Sequence, residues 1–183
     1  RANAMQKACE ATKGTMAAII GLADEKVEEI CSSVSTPENI VVAANYNCPG
    51  QLVISGSIDA INTACEKMKE AGAKRALPLP VSGAFHSPLM QPAKDELQAA
   101  IESVSFNTPR IPVYQNVDAF AHTDAEEIKK NLVAQLTGAV RWTATINNMI
   151  ANGANDFTEC GPGKALQGMI GRIDKTVATH GVE

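Results

Sequence analysis

The hydrophobic pattern of this chain changes period several times, and each change marks an element. Met16-Ala17-Ala18-Ile19-Ile20 is a continuous apolar run, too short for a helix, and reads as a buried strand. Asp24 to Ile30 then starts a helix, with acidic residues in the first turn where the helix dipole favours them; it ends before Pro37. Ile40 to Tyr46 and Gln51 to Gly56 are rich in β-formers and flank Asn47-Cys48-Pro49-Gly50, whose Asn, Pro and Gly are turn residues. From Ile58 to Ala71 the spacing becomes helical, with Ile58, Ile61, Ala64, Cys65 and Met68 on one face and Gly72 closing the helix. A last strand, Arg75 to Leu79, completes β-α-β-β-α-β over residues 14–80, the order of a ferredoxin-like unit.

The flanking regions read differently. Residues 1–13 begin with Arg1-Ala2-Asn3-Ala4-Met5-Gln6, good helix formers with no N-cap residue before them, so the chain is expected to start inside an element of a larger protein. Beyond residue 80, Leu89, Ala93, Leu97, Ile101 and Val104 predict a helix, and Ile111 to Val117 a short strand with Gln115, Asn116 and Asp118 at its end. Asp124 has the chemistry of an N-cap, with Glu127 at the capping-box position, for a helix to about Leu136. A helix over 141–151 and a strand over 156–160 follow, then Gly161-Pro162-Gly163-Lys164 and a helix from Ala165. The tail from Thr176 shows no period and predicts fraying. The whole is an α/β chain in three parts: 1–13, 14–80 and 81–183.

Composition narrows the function classes. Of 183 residues, 45% are hydrophobic, enough for a core, and 16 basic against 20 acidic residues leave a net charge of −4. With no basic block, no nucleic-acid partner is expected, and no apolar run is long enough to span a membrane. Five cysteines, an odd number without a C-x-x-C pair, indicate neither a disulfide framework nor a metal site, and fit a reducing cytoplasm.

The candidate chemistry gathers at Leu79-Pro80-Val81-Ser82-Gly83-Ala84-Phe85-His86-Ser87-Pro88. His86 stands where extended chain hands over to a helix, a joint that fixes a side chain while leaving it free to face a cleft. The same place suits a histidine that merely caps the helix, and local pattern does not separate the two. Strand, glycine turn and helix at Gly161 to Ala165 suggest an anion site, but neither phosphate-loop spacing is met, and a tight turn is the stronger reading.

Five motifs, taken together, resemble the bacterial malonyl-CoA:acyl carrier protein transacylase family. They are Asn45-Tyr46-Asn47-Cys48-Pro49-Gly50-Gln51, Gly83-Ala84-Phe85-His86-Ser87, Gln115-Asn116-Val117-Asp118, Gln135-Leu136 and Glu159-Cys160-Gly161-Pro162-Gly163. The resemblance covers nearly the whole chain. It implies a ferredoxin-like small subdomain inserted in a larger α/β-hydrolase-like one, of which this chain is the C-terminal part. It also implies malonyl transfer from malonyl-CoA to the phosphopantetheine thiol of acyl carrier protein, in fatty acid biosynthesis, with no permanently bound cofactor. The family's serine elbow, G-H-S-x-G, is not in this sequence, so the 183 residues alone are expected to be inactive.

The resemblance assigns roles. His86 is the general base, and the backbone carbonyl at Gln135 orients it. Arg1 matches the arginine that binds the malonyl carboxylate, and Asn116 and Asn47 belong to the substrate pocket. Phe85 corresponds to a position where related polyketide acyltransferases carry phenylalanine for malonyl and serine for methylmalonyl. Lys74 and Arg75, with Lys164, Arg172 and Lys175, are basic groups available to coenzyme A phosphates or an acidic carrier protein. The competing reading is a noncatalytic module that binds a carrier protein.

Overall fold

The computed structural model describes residues 1–182. Strand β1 (Thr15–Ile20) lies inside a four-stranded antiparallel sheet, between β3 (Gln51–Gly56) and β4 (Arg75–Pro78), with β2 (Val41–Cys48) outside β3. The apolar run of β1 is continuous because both of its faces are covered. Ala17 and Ile19 point to helices α2 (Asp24–Val34) and α3 (Ile58–Glu70), where they join Val27, Leu52, Ile54, Ile61 and Met68 in one core. Met16 points the other way, to Ala44, Val53 and Phe85. The predicted β-α-β-β-α-β order is thus present over this stretch.

The β2–β3 turn is tighter than the sequence suggests. Asn47 and Cys48 belong to the strand, which leaves Pro49-Gly50 as a two-residue loop; Pro presets its own φ and Gly50 takes a φ of +71°. Irregularities interrupt the β2–β3 register between Ala43 and Asn45 and again between Tyr46 and Cys48. The outer edge of β2 is also met from the far part of the chain: Tyr46 N donates to Val140 O at 2.9 Å, and Val140 N to Ala44 O at 2.8 Å.

Outside the sheet, α1 (Ala2–Ala11) packs on α4 (Gln91–Glu102). Ala4 and Ala8, one turn apart, allow a close approach, and meet Met90, Ala93 and Leu136. Helices α5 (Ala125–Ala134), α6 (Trp142–Ala151) and α7 (Ala165–Ile173) follow, with strand β7 (Asp156–Cys160) between the last two. As expected, Asp124 caps α5, accepting from the backbone N–H groups of Glu126 and Glu127. The capping box is not closed, because the Glu127 carboxylate is bonded to His122 instead.

Two expectations are corrected. The strand over 111–117 shrinks to β5 (Val113–Tyr114), paired with β6 (Ala121–His122). Pro112 has no N–H to pair, and a turn through Ala119, at φ +70°, folds the chain back at once. The tail does not fray: β8 (Ala178–Val182) pairs in parallel with β7, and Gly161 N donates to Val182 O at 2.9 Å. Its side chains are mostly exposed, so the ladder rather than a hydrophobic pattern holds it, and no period could announce it.

Candidate active site

After β4 the chain crosses the face of the sheet opposite α2 and α3, with Leu79, Val81 and Phe85 against Met16, Ala44 and Val53. Gly83 lies so close to α1 that a Cβ there would collide with the Cys9 sulfur. Phe85 bridges two packed groups, touching both the sheet side and the α1–α4 side. His86 follows with φ +58°, a conformation that costs a non-glycine residue energy and persists only where surrounding packing fixes it.

The helix cap at this joint is Ser87, not His86. Ser87 Oγ accepts from Leu89 N at 3.3 Å and donates to Ala84 O at 2.6 Å, at the start of a 3₁₀ turn over Pro88–Met90. The histidine ring is therefore free for another role. Its Nδ1 lies 3.0 Å from Gln135 O and 3.2 Å from Gly138 O. Carbonyls only accept, so Nδ1 carries the proton and Nε2 keeps its lone pair. Burial lowers the His86 pKa below its ordinary value and the Arg1 charge adds to this, against the opposing pull of the two carbonyls. The ring is thus neutral near pH 7, with a basic nitrogen available.

His86 faces two cavities. One, of about 480 Å³, is lined by Arg1, Asn116 and Gln135 with the apolar residues Leu97, Ile101, Leu132 and Val140. The other, of about 320 Å³, is lined by Asn45, Asn47 and Phe85 with Met5, Met16, Val53 and Leu79. Arg1 is the N-cap residue of α1, and its guanidinium has no ion-pair partner among the described residues. Asn116 is held by its backbone, whose carbonyl accepts from Arg141 N at 2.8 Å. A groove as large as the first cavity runs between α4 and α5, but its charged lining includes no candidate from the sequence and it does not reach His86.

The fold therefore gathers Arg1, Asn47, Phe85, His86, Asn116 and Gln135 around one pair of cavities. It does not bring Lys74 and Arg75 there. Both are exposed, and Arg75 pairs with Ile20 at the end of β1, four residues or about 13 Å from Met16. The glycine turn before α7 is no open anion site: the Glu159 carboxylate accepts from Leu166 N and Gln167 N at 3.1 and 3.2 Å. Arg172 is bonded to Gln51 Oε1 at 2.8 Å, while Lys164 and Lys175 are exposed. Gly138, whose carbonyl reaches His86, escaped the sequence reading. Its signal was a glycine four residues past the last residue of α5, where chains commonly turn.

Comparison with known proteins bears on this geometry. The model of the acyl transferase domain matches residues 2–177. The chain belongs to the acyl transferase domain family. A malonyl CoA-acyl carrier protein transacylase of Bacillus subtilis (strain 168) is 41% identical over 182 residues, which are 100% of this chain and 57% of that protein. The crystal structure of an acyl carrier protein S-malonyltransferase from Vibrio cholerae superposes with a TM-score of 0.95 at 46% identity, over 99% of this chain and 59% of that one. A malonyl-transacylase solved in complex with its type II PKS acyl-carrier protein gives 0.93 at 41% identity, over 98% and 58%. This acyl transferase chain thus spans somewhat over half the length of its relatives. Among its described residues no helix is long and apolar enough to cross a membrane, and no group of three His, Cys, Asp or Glu side chains is placed to hold a metal ion.

Proposed function

We propose that this chain supplies the base and the acyl pocket of a malonyl-CoA:acyl carrier protein transacylase acting in fatty acid biosynthesis in the cytoplasm. The observation that carries the reading is the placement of His86: Nδ1 against the carbonyls of Gln135 and Gly138, which leaves Nε2 as the free basic nitrogen of a ring that lines two cavities. The nucleophile is a serine outside these 183 residues, in the part of the relatives this chain does not span. Residues 14–80 form the ferredoxin-like insert, and residues 1–13 and 81–183 belong to the larger α/β-hydrolase-like subdomain, which agrees with the packing of α1 on α4.

The chemistry is thioester exchange. His86 Nε2 takes the serine proton as the oxygen attacks the malonyl carbonyl of malonyl-CoA; the carbon–sulfur bond breaks, and the imidazolium returns the proton to the departing thiolate. In the second half the carrier protein's pantetheine thiol gives its proton to Nε2 and attacks the ester carbonyl; the carbon–oxygen bond to serine breaks, and the imidazolium returns the proton to the serine oxygen. Gln135 O accepts the Nδ1–H hydrogen bond throughout, in place of the carboxylate of a triad. Arg1, which pairs with no carboxylate among the described residues, binds the malonyl carboxylate through two parallel bonds, a geometry that a planar guanidinium supplies and lysine does not. Asn116 and Asn47 complete the pocket. Lys74 and Arg75, outside the cavities, remain candidates for the distal phosphates of coenzyme A or for an acidic carrier protein.

The test uses the protein extended N-terminally to the length of its relatives, with labelled malonyl-CoA and acyl carrier protein. A labelled acyl-enzyme should form and pass its label to the carrier, and Arg1→Ala should depress malonyl use far more than acetyl use. Absence of an acyl-enzyme overturns the reading; an equal fall for both substrates removes Arg1 from its role.

A further inference from the structure

The base is oriented by two carbonyls, and the second one belongs to a loop that has its own clamp. Past the end of α5 the chain turns through residues 136–139 before it is pinned to β2 at Val140. Within that turn the Gln135 side chain donates from Nε2 to two consecutive carbonyls, Gly138 O at 2.9 Å and Ala139 O at 3.1 Å. Gly138 O is the same atom that receives His86 Nδ1 at 3.2 Å. Left without a donor, carbonyls of a surface turn point to water. Here a half-buried amide holds both of them on the inner side.

We infer that the Gln135 side chain is a positioning residue that sets a two-carbonyl cradle for His86, with Gly138 as its second arm; this rests on the transacylase reading above. Gln135 thus acts twice: its carbonyl is one arm, and its amide holds the other. Two acceptors on one N–H restrict rotation of the imidazole and keep Nε2 aimed at one point. They also matter more as the reaction proceeds, because a carbonyl interacts more strongly with the imidazolium than with the neutral ring. Gly138 is suited to the arm because a Cβ there would meet Val117 Cγ2 at 2.9 Å and Ala134 O at 3.0 Å, which would push the peptide out of place.

The cradle makes a prediction that a merely structural role for Gln135 does not. Gln135→Met keeps the bulk of the side chain and removes both donated bonds. In the extended protein it should lower kcat/KM for malonyl-CoA roughly tenfold, the size expected for one lost hydrogen bond. The loss should fall on kcat, with KM little changed. The acid limb of the pH profile should move to lower pH, since the imidazolium has lost an acceptor. Gly138→Ala should move that limb the same way with Gln135 intact, and carries the test if Q135M is too unstable to purify.

Imidazole 15N–1H spectra of the extended protein separate the possible failures. If wild-type His86 does not carry its proton on Nδ1, the transacylase reading loses its carrying observation. If wild type shows a protected Nδ1 proton and both Q135M and G138A keep it, with unchanged pH limbs and only a lower melting temperature, the cradle is refuted while the reading stands. Faster exchange of that proton in both variants, with the shifted limb, supports the cradle.

Discussion

Residues 14–80 and residues 81–182 are built to different rules. In the first unit one core of fourteen buried residues, from Ala17 to Ala76, is closed within the unit's own sheet and two helices. In the second the buried apolar groups are split; the α6–β7–α7 cluster has only Ile146, Phe157 and Ile170 fully inside, and Ile111, Phe120, Leu132 and Val182 stay exposed. Yet the candidate base His86 and both carbonyls bonded to it lie in the second region, with Phe85 at its seam with the first. A closed core supplies rigidity, while an open, irregular region supplies carbonyls, cavities and a histidine at positive φ. His86 can occupy that conformation because Phe85 on one side and Ser87 on the other are fixed by packing and hydrogen bonds.

The sharpest way to break this contrast is at its functional end. His86→Ala in the extended protein should lower kcat/KM by about 10²–10⁴, worth roughly 3–5 kcal/mol of barrier, the range for a positioned base. Its melting temperature should change little, because the ring closes no core. A rate within about twofold of wild type excludes His86 as the base. Loss of cooperative unfolding would show instead that the joint carries stability.

Next in size is the structural end. Ile61 is fully buried in the closed core, and Ile61→Ala should cost about 2–5 kcal/mol in urea unfolding, as large-to-small changes in well-packed sites do. Ile146 is equally buried, but its cluster is smaller and bordered by half-exposed side chains that can relax into the gap, so Ile146→Ala should sit at or below the low end of that range. Equal losses would mean that the second region is as tightly packed as the first.

The same contrast explains what the sequence made legible. The first unit could be read element by element, because period-2 and period-3.6 patterns report burial against a local partner, and here the partners are local. Only the hairpin loop came out too long, since Asn47 and Cys48 look like turn residues but continue β2. In the second region β8 has no apolar pattern and exists by pairing with β7, and β5 is cut short by Pro112 and the turn at Ala119. Neither is encoded in its own side chains. Of the site, His86, Phe85 and Arg1 were visible through motifs, whereas Gly138 and Val140 enter through backbone atoms, which any side chain type carries. Asn45 lines the same cavity as Asn47 but stood in its motif without a role.

A smaller effect tests the seam itself, where Phe85 touches both packed groups and lines the cavity beside His86. If its ring fills the space that an α-methyl of the acyl group would need, the overpacking costs about 1–3 kcal/mol, or roughly tenfold to a hundredfold in discrimination. Phe85→Ser should then raise methylmalonyl-CoA use relative to malonyl-CoA in competition assays of the extended protein. An unchanged ratio with a lower melting temperature would assign Phe85 to packing alone.

The smallest effect compares the two histidines of the second region whose environments push them in opposite directions. Burial lowers the pKa of His86 and its bonded carbonyls only partly offset this. Burial also pulls His122 down, but the carboxylates of Glu127 and Asp118, at 3.2 and 2.7 Å from its two ring nitrogens, outweigh it and hold the group above its ordinary 6.5. The signs follow by linkage. For His122 the folded state binds the proton more tightly, so its contribution is complete below 6.5 and is lost as pH rises through the folded value. For His86 the unfolded state binds more tightly, so stability is lost as pH falls from 6.5 through the folded value. The His122 pairs are partly exposed, which limits their worth to under about 1 kcal/mol. Urea midpoints between about pH 5 and about pH 9 should therefore show His122→Asn flattening the alkaline limb and His86→Ala flattening the acid limb, each leaving the other intact. If His122→Asn leaves the alkaline limb as steep as in wild type, the cluster with Asp118 and Glu127 adds nothing to folding, and the turn at Ala119 is held by its other bonds, among them Ala119 N to Gln115 O and Asn148 Nδ2 to Ala119 O.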